Sequence, residues 1–192
     1  MFIKDWKKDV FTIPNMLSFF RLILIPIYVS IYLNACETKD YFIAGTILAV
    51  SCLTDMIDGQ IARKFNQISN LGKLLDPIAD KSTQLALVIC LSIRYPILNY
   101  VLVLFLIKEF TQLFVAYAKF RQGKALPGAI LPGKICTTVL FTSLTALVLF
   151  PDLNTRIVHF LAAVDFLCLA IAFIGYLFAF LGKNAKVQDI DT

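Results

Sequence analysis

The chain has 192 residues, 59% of them hydrophobic and only 16% charged, with 18 Lys and Arg against 13 Asp and Glu. A water-soluble domain carries about 25% charged residues, so the composition excludes an ordinary soluble enzyme, while the length fits a single domain over 1–192. The formal charge of +5 then reads as contact with anionic lipid headgroups and not with nucleic acid.

The N-terminal stretch places Phe2, Ile3, Trp6 and Val10 on roughly one helical face among Lys4, Lys7 and Lys8. That pattern predicts an interfacial helix over about 2–13, with Trp6 at headgroup depth. The first long apolar run comes after this stretch, which does not read as a cleavable signal peptide. Crossing the hydrocarbon takes about 20 mostly apolar residues. The windows 15–34, 41–62, 72–94, 97–119, 132–150 and 157–181 satisfy that. The expectation is an all-α, polytopic membrane protein with six transmembrane helices.

Lys and Arg gather before the first window, in the connections 63–71 and 120–131, and after the last window. The other connections hold only Lys39, Arg94 and Arg156. The bias predicts a multi-pass protein of the cell membrane with both termini in the cytoplasm.

Cys36, Cys52, Cys90, Cys136 and Cys168 are scattered singly, with no C-x-x-C pair, and read as small buried apolar side chains. His159 has no second histidine or cysteine nearby to make it a ligand. Asp165 lies inside the sixth window, where a helix–helix hydrogen bond or a dimer interface is expected before catalysis.

The second and third windows carry the chemistry. Asp55 and Asp58 are three apart near the end of one, and Asp76 and Asp80 are four apart near the start of the next. Those spacings put each pair on one helix face. Consecutive antiparallel spans would bring all four carboxylates to one depth. Without a positive partner they would repel one another and resist leaving water. Oxygen-only ligands favour Mg²⁺, Mn²⁺ or Ca²⁺, and a pair of such ions suits a diphosphate substrate. Gly59 and Gly72 leave room beside the acids, and Arg63 lies one turn beyond Gly59, within reach of a phosphate.

The pattern D-x-x-D-G-x-x-A-R-x8-G-x-x-x-D-x-x-x-D is matched in full by Asp55, Asp58, Gly59, Ala62, Arg63, Gly72, Asp76 and Asp80. It resembles the signature of the CDP-alcohol phosphatidyltransferases, and the six-span layout extends the resemblance over nearly the whole chain. The resemblance implies that Asp55, Asp58 and Asp76 bind two divalent ions, Mg²⁺ or Mn²⁺. Asp80 would complete the cluster and act as base on the attacking hydroxyl. Gly59, Ala62, Arg63 and Gly72 would line the CDP pocket together with those aspartates. It further implies a homodimer, a site open to the cytoplasmic leaflet, and CDP-diacylglycerol as donor.

For the acceptor, IPNMLSFFRLILIPIYV (13–29) and LGKLLDPIADK (71–81) resemble bacterial phosphatidylglycerophosphate synthases, which use glycerol 3-phosphate. An anionic acceptor needs cations outside the signature. Arg21, Lys108 and Lys134 are the candidates, Lys134 because PGKICT is similar to the G-K-x-K-T segment of those synthases. Lys108 is expected beside Glu109 in mid-span, either paired with it or functional. Two cations of the synthases are missing, with Ala116 and Cys136 in their places. The stretch TIPNMLSFFR also resembles cardiolipin synthases of the same superfamily, which use phosphatidylglycerol. A metal or proton transporter is the reading outside enzymology. Transporters place acids near the midplane, however, whereas here they lie near span ends.

Overall fold

The computed structural model describes residues 12–64, 72–121 and 131–181, and within the helices the side chains of 13–14, 55–64, 73–74, 118–120, 131–132, 134 and 179–181 lie outside the described set. The interfacial helix expected over 2–13 falls almost wholly outside the described residues. Those residues form six α-helices and no strand: α1 (Ile13–Leu33), α2 (Thr38–Lys64), α3 (Gly72–Arg94), α4 (Leu98–Arg121), α5 (Leu131–Leu149) and α6 (Thr155–Leu181). Each falls on one of the predicted windows. The chain is an all-α polytopic membrane protein. Asn15–Leu33, Leu98–Tyr117 and Thr155–Phe178 are long and apolar enough to cross a bilayer. Helices α2 and α3 lose mean hydropathy to the acids and bases of the motif, and α5 has a shorter apolar run, Ile135–Leu149.

Local chemistry sets the helix ends. Thr12 is extended at the N-cap of α1, and a proline occupies the first turn, where its missing N–H costs nothing. At the other end the Asn34 side-chain amide donates to the Ser30 carbonyl at 2.8 Å. Six residues later the Asp40 carboxylate accepts the backbone N–H groups of Cys36 at 2.9 Å and Glu37 at 3.0 Å. This draws the start of α2 back to Thr38, ahead of the window predicted from hydropathy. The N–H of Glu37, and then that of Cys36, hold the Asp40 carboxyl below the usual aspartate range. The folded chain therefore binds this proton less readily than the unfolded one. The cap's contribution is complete above the ordinary value of about 3.9 and fades as pH falls through the lowered folded value. An NMR titration of the Asp40 carboxyl should show the lowered midpoint. Asp40→Asn should remove that acid sensitivity from the Cys36 and Glu37 amides.

The chain divides into two compact units. The first comprises 1–91 and 145–152, and the second 92–144 and 153–192. In the first unit α1 packs along α2; Tyr28 and Tyr32 lie tilted with centroids 5.7 Å apart, and Tyr41 meets Tyr32 edge-on at 5.5 Å. Gly45 of α2 lies where a Cβ would collide with Leu149 in the last turn of α5. In the second unit α4 packs along α6. Asn154 starts α6 by accepting the Arg156 N–H on its side chain at 3.0 Å. Phe110, Leu113, Phe114 and Tyr117 of α4, with Phe160, Leu167 and Phe178 of α6, remain exposed. This outward apolar surface suits lipid. Cys90 and Cys136 are buried as expected, but Cys36 and Cys52 are exposed. Cys36 sits in the α1–α2 connection, and Cys52 follows the buried Ser51 on α2.

Asp165 makes a helix–helix contact of the kind its position suggested. It is fully buried, and the Ser143 hydroxyl of α5 donates to its Oδ2 at 2.5 Å, while Oδ1 has no hydrogen-bond partner among the described residues. Ser143→Ala should cost about 1–3 kcal/mol, because it strands a buried polar group. Adding Asp165→Leu should recover most of that loss. Thermal unfolding in detergent reads both. A Ser143→Ala protein as stable as the parent would show that this contact contributes nothing.

Candidate active site

Helices α1, α2 and α3 of the first unit surround a small cavity lined by Leu24, Ile25, Tyr28, Ile47, Leu48, Ser51, Thr83 and Ala86. The cavity fixes the register of the acidic turns. Ser51 of α2 and Thr83 of α3 share it, while α2 ends at Lys64 and α3 begins at Gly72. The rise from Ser51 to Lys64 is about 20 Å, and that from Gly72 to Thr83 is about 16 Å. Parallel helices would separate Lys64 from Gly72 by about 36 Å, beyond the roughly 28 Å that the connection can span. Hence α2 and α3 run antiparallel. Asp55 and Asp80 then lie about 5 Å beyond the cavity, and Asp58 and Asp76 about 10 Å beyond it, at the same end. The four positions therefore pair in two layers about 5 Å apart, Asp55 with Asp80 and Asp58 with Asp76, where the motif spacing alone suggested a single depth.

Asp76 is held by α1. The Ser18 hydroxyl donates to Asp76 Oδ1 at 2.5 Å, and Arg21 Nη2 lies 3.9 Å from the same oxygen. The Arg21 side chain is 3% exposed and that of Asp76 47%. One end of the contact is therefore dry and the other faces outward. Asp76 Oδ2 takes part in neither interaction. Asn15, Ser18 and Arg21, three residues apart, are all buried and form a polar stripe on an otherwise apolar helix. Arg21, expected from the sequence to meet an acceptor phosphate, here faces Asp76, and Ser18 and Asn15 lie outside the signature. The i, i+3, i+6 spacing of polar residues inside a membrane span was the signal available.

Asp80 is half-buried one turn along α3 from Asp76, and Gly72 is buried at the first residue of that helix. Asp55, Asp58, Gly59, Ala62 and Arg63 occupy the last turns of α2, but their side chains lie outside the described residues. So does that of Lys134, in the first turn of α5. In the second unit Lys108 is buried, pairs with Glu109 at 2.6 Å and lies 5.8 Å from the centroid of the Tyr176 ring. The same unit has a cleft of about 330 Å³ lined by Ile97, Tyr100, Val101, His159, Ala162, Ala163 and Phe166. Among the described residues its lining offers one imidazole and one phenol on apolar walls, and no carboxylate.

The described part of the acidic site presents oxygen donors only. Asp76 keeps an oxygen outside the Ser18 and Arg21 contacts, and its side chain is half exposed. This donor set fits a hard cation such as Mg²⁺ or Mn²⁺ and not a soft one.

A family model described as CDP-alcohol phosphatidyltransferase matches residues 11–180. The chain belongs to this family. That span takes in all eight signature positions and the six helices almost entirely. Among relatives of this CDP-alcohol phosphatidyltransferase, a "cardiolipin synthase (CMP-forming) / mitochondrial hydrolase fusion protein" of Schizosaccharomyces pombe is 39% identical over 89 residues, covering 46% of this chain and 14% of that one. A "CDP-diacylglycerol--glycerol-3-phosphate 3-phosphatidyltransferase" of Escherichia coli K12 is 44% identical over 71 residues, 37% of this chain and 38% of that one. The protein of the same description from Shigella boydii matches to the same extent. The alignments therefore span well under half the length of these relatives.

Proposed function

We propose that the protein transfers the phosphatidyl group of CDP-diacylglycerol to glycerol 3-phosphate, forming phosphatidylglycerophosphate and CMP in phospholipid biosynthesis. The observation that carries this reading is the full family signature, set on two antiparallel helices whose acidic turns coincide in depth. Asp55, Asp58, Asp76 and Asp80 would hold two divalent ions, Mg²⁺ or Mn²⁺, which when bound neutralise charge on the diphosphate.

The protein's own groups do the rest. Ser18 and Arg21 fix one oxygen of Asp76, so its orientation is set before substrate arrives. Arg63 meets the diphosphate, and Gly59, Ala62 and Gly72 leave room for the nucleotide. The acceptor hydroxyl gives its proton to Asp80 as its oxygen bonds to the lipid-side phosphorus. The bond from that phosphorus to the CMP oxygen breaks, and CMP leaves with the electron pair. Positioning and charge neutralisation supply most of the rate in such transfers. Lys134, with Arg21 and Lys108 as further candidates, meets the acceptor phosphate. The enzyme is a homodimer in the cell membrane, with its termini and site on the cytoplasmic side.

A second reading keeps the donor and changes the acceptor to phosphatidylglycerol, which makes the protein a cardiolipin synthase. Ala116 and Cys136, where the synthases carry cations, favour it, as does the likeness to the S. pombe protein. The test is CMP release from CDP-diacylglycerol with Mg²⁺ or Mn²⁺ and glycerol 3-phosphate, phosphatidylglycerol, serine or inositol phosphate in parallel. Release with glycerol 3-phosphate supports the first reading, and release only with phosphatidylglycerol supports the second. No metal-dependent release with any acceptor overturns both.

A further inference from the structure

Three helices of the second unit converge on one aromatic ring that the reaction scheme does not use. Tyr176, on α6, is nearly buried. The Lys108 ammonium of α4 lies 5.8 Å from its ring centroid and 2.6 Å from the Glu109 carboxylate. Gly133, in the first turn of α5, packs so closely that a Cβ there would fall 2.6 Å from the Tyr176 hydroxyl oxygen and 3.2 Å from two ring carbons. A cation out of water, an acid beside it and the start of a helix therefore share one rigid side chain.

The arrangement bears on recognition. A lysine ammonium is a point charge on a flexible stem, so the accuracy of a phosphate contact made by Lys134 depends on where the backbone of its turn is held. Gly133 adjoins Lys134, and Tyr176 is what Gly133 rests on. The Lys108–Glu109 pair is seated on the same ring, where the aromatic face stabilises a desolvated ammonium. We infer that Tyr176 is a positioning residue for acceptor recognition, fixing the turn that bears Lys134 and the Lys108–Glu109 pair in one arrangement. The inference rests on the reading of Lys134 and Lys108 as acceptor-phosphate contacts. A tyrosine suits the task, since it has few rotatable bonds and offers a large contact area.

The test uses the full chain in lipid nanodiscs and whichever acceptor the parent protein turns over, glycerol 3-phosphate or phosphatidylglycerol. Tyr176→Leu should raise the KM for acceptor about tenfold, as expected for a displaced contact, and leave the KM for CDP-diacylglycerol unchanged. Tyr176→Phe, which keeps the ring, should do less. Gly133→Ala should behave like Tyr176→Leu. Adding Tyr176→Phe to Gly133→Ala should restore part of the affinity, because the oxygen that the new methyl group meets is gone. Amides of 135–138, the first that are bonded within α5, should exchange hydrogen faster in Tyr176→Leu, with those of α1 and α2 unchanged. Equal rises in both KM values, no rescue in the double variant, or unchanged exchange at 135–138 would overturn the role of Tyr176. A parent protein inert toward both acceptors would overturn the acceptor reading itself.

Discussion

Asp80→Asn is expected to lower CMP release about a thousandfold, within the range that general acid–base catalysis contributes. Asparagine keeps the size and much of the hydrogen bonding of the carboxylate but cannot take the hydroxyl proton. Asp80 is half-buried and one helical turn from Asp76, so the substitution should leave the fold in place. Circular dichroism and the unfolding temperature should match those of the parent. Binding of CDP should weaken far less than turnover, because the other three aspartates remain. A variant within tenfold of the parent rate would remove Asp80 from the proton transfer and shift that role to another group.

The second large effect is an asymmetry across the α1–α3 contact. Arg21 is almost fully buried while Asp76 is about half exposed. Removing the arginine leaves a carboxylate that water can reach, a loss of about 1 kcal/mol or less. Removing the aspartate leaves a guanidinium in a dry setting. A fully broken buried pair costs about 3–5 kcal/mol. Here the contact is 3.9 Å with one side exposed, and Arg21 has other interactions, so about 2 kcal/mol is expected. Asp76→Ala should therefore destabilise more than Arg21→Met, and the double variant should recover most of the difference. Both single variants should lose most of their activity, one through a missing ligand and the other through a misplaced one. If Arg21→Met proved the more destabilising, the buried arginine would be held by something other than Asp76.

The helices were legible because each is a long apolar run, and the run is the signal. Their starts were less so. The beginning of α2 depends on Asp40 reaching back to two amides, a side-chain event that hydropathy averages away. The four aspartates stood out because a carboxylate in a membrane span needs a reason. Ser18 did not, since one serine in an apolar helix is commonplace until its partner 58 residues away is known. Tyr176 was invisible for the same cause. Its contacts with Gly133 and Lys108 join helices far apart in sequence, and nothing in IGYLF marks the tyrosine as different from its neighbours. Local patterns suggested the depth of the acids, and only packing shows that Ser18 and Arg21 hold Asp76.

The buried Asn15–Ser18–Arg21 stripe also constrains how the protein is made. Helix α1 emerges from the ribosome well before Asp76, so it enters the bilayer with a guanidinium that has no carboxylate to meet. An arginine at the centre of a nascent span costs about 2.5–3.5 kcal/mol during translocon insertion. The rest of α1 is apolar enough for the helix to cross a bilayer with the arginine included, so it can absorb that penalty. Helix α3 is synthesised later and brings the aspartate that α1 lacks. The order of synthesis therefore leaves Arg21 to be carried by the apolar residues of its own helix until α3 has been made.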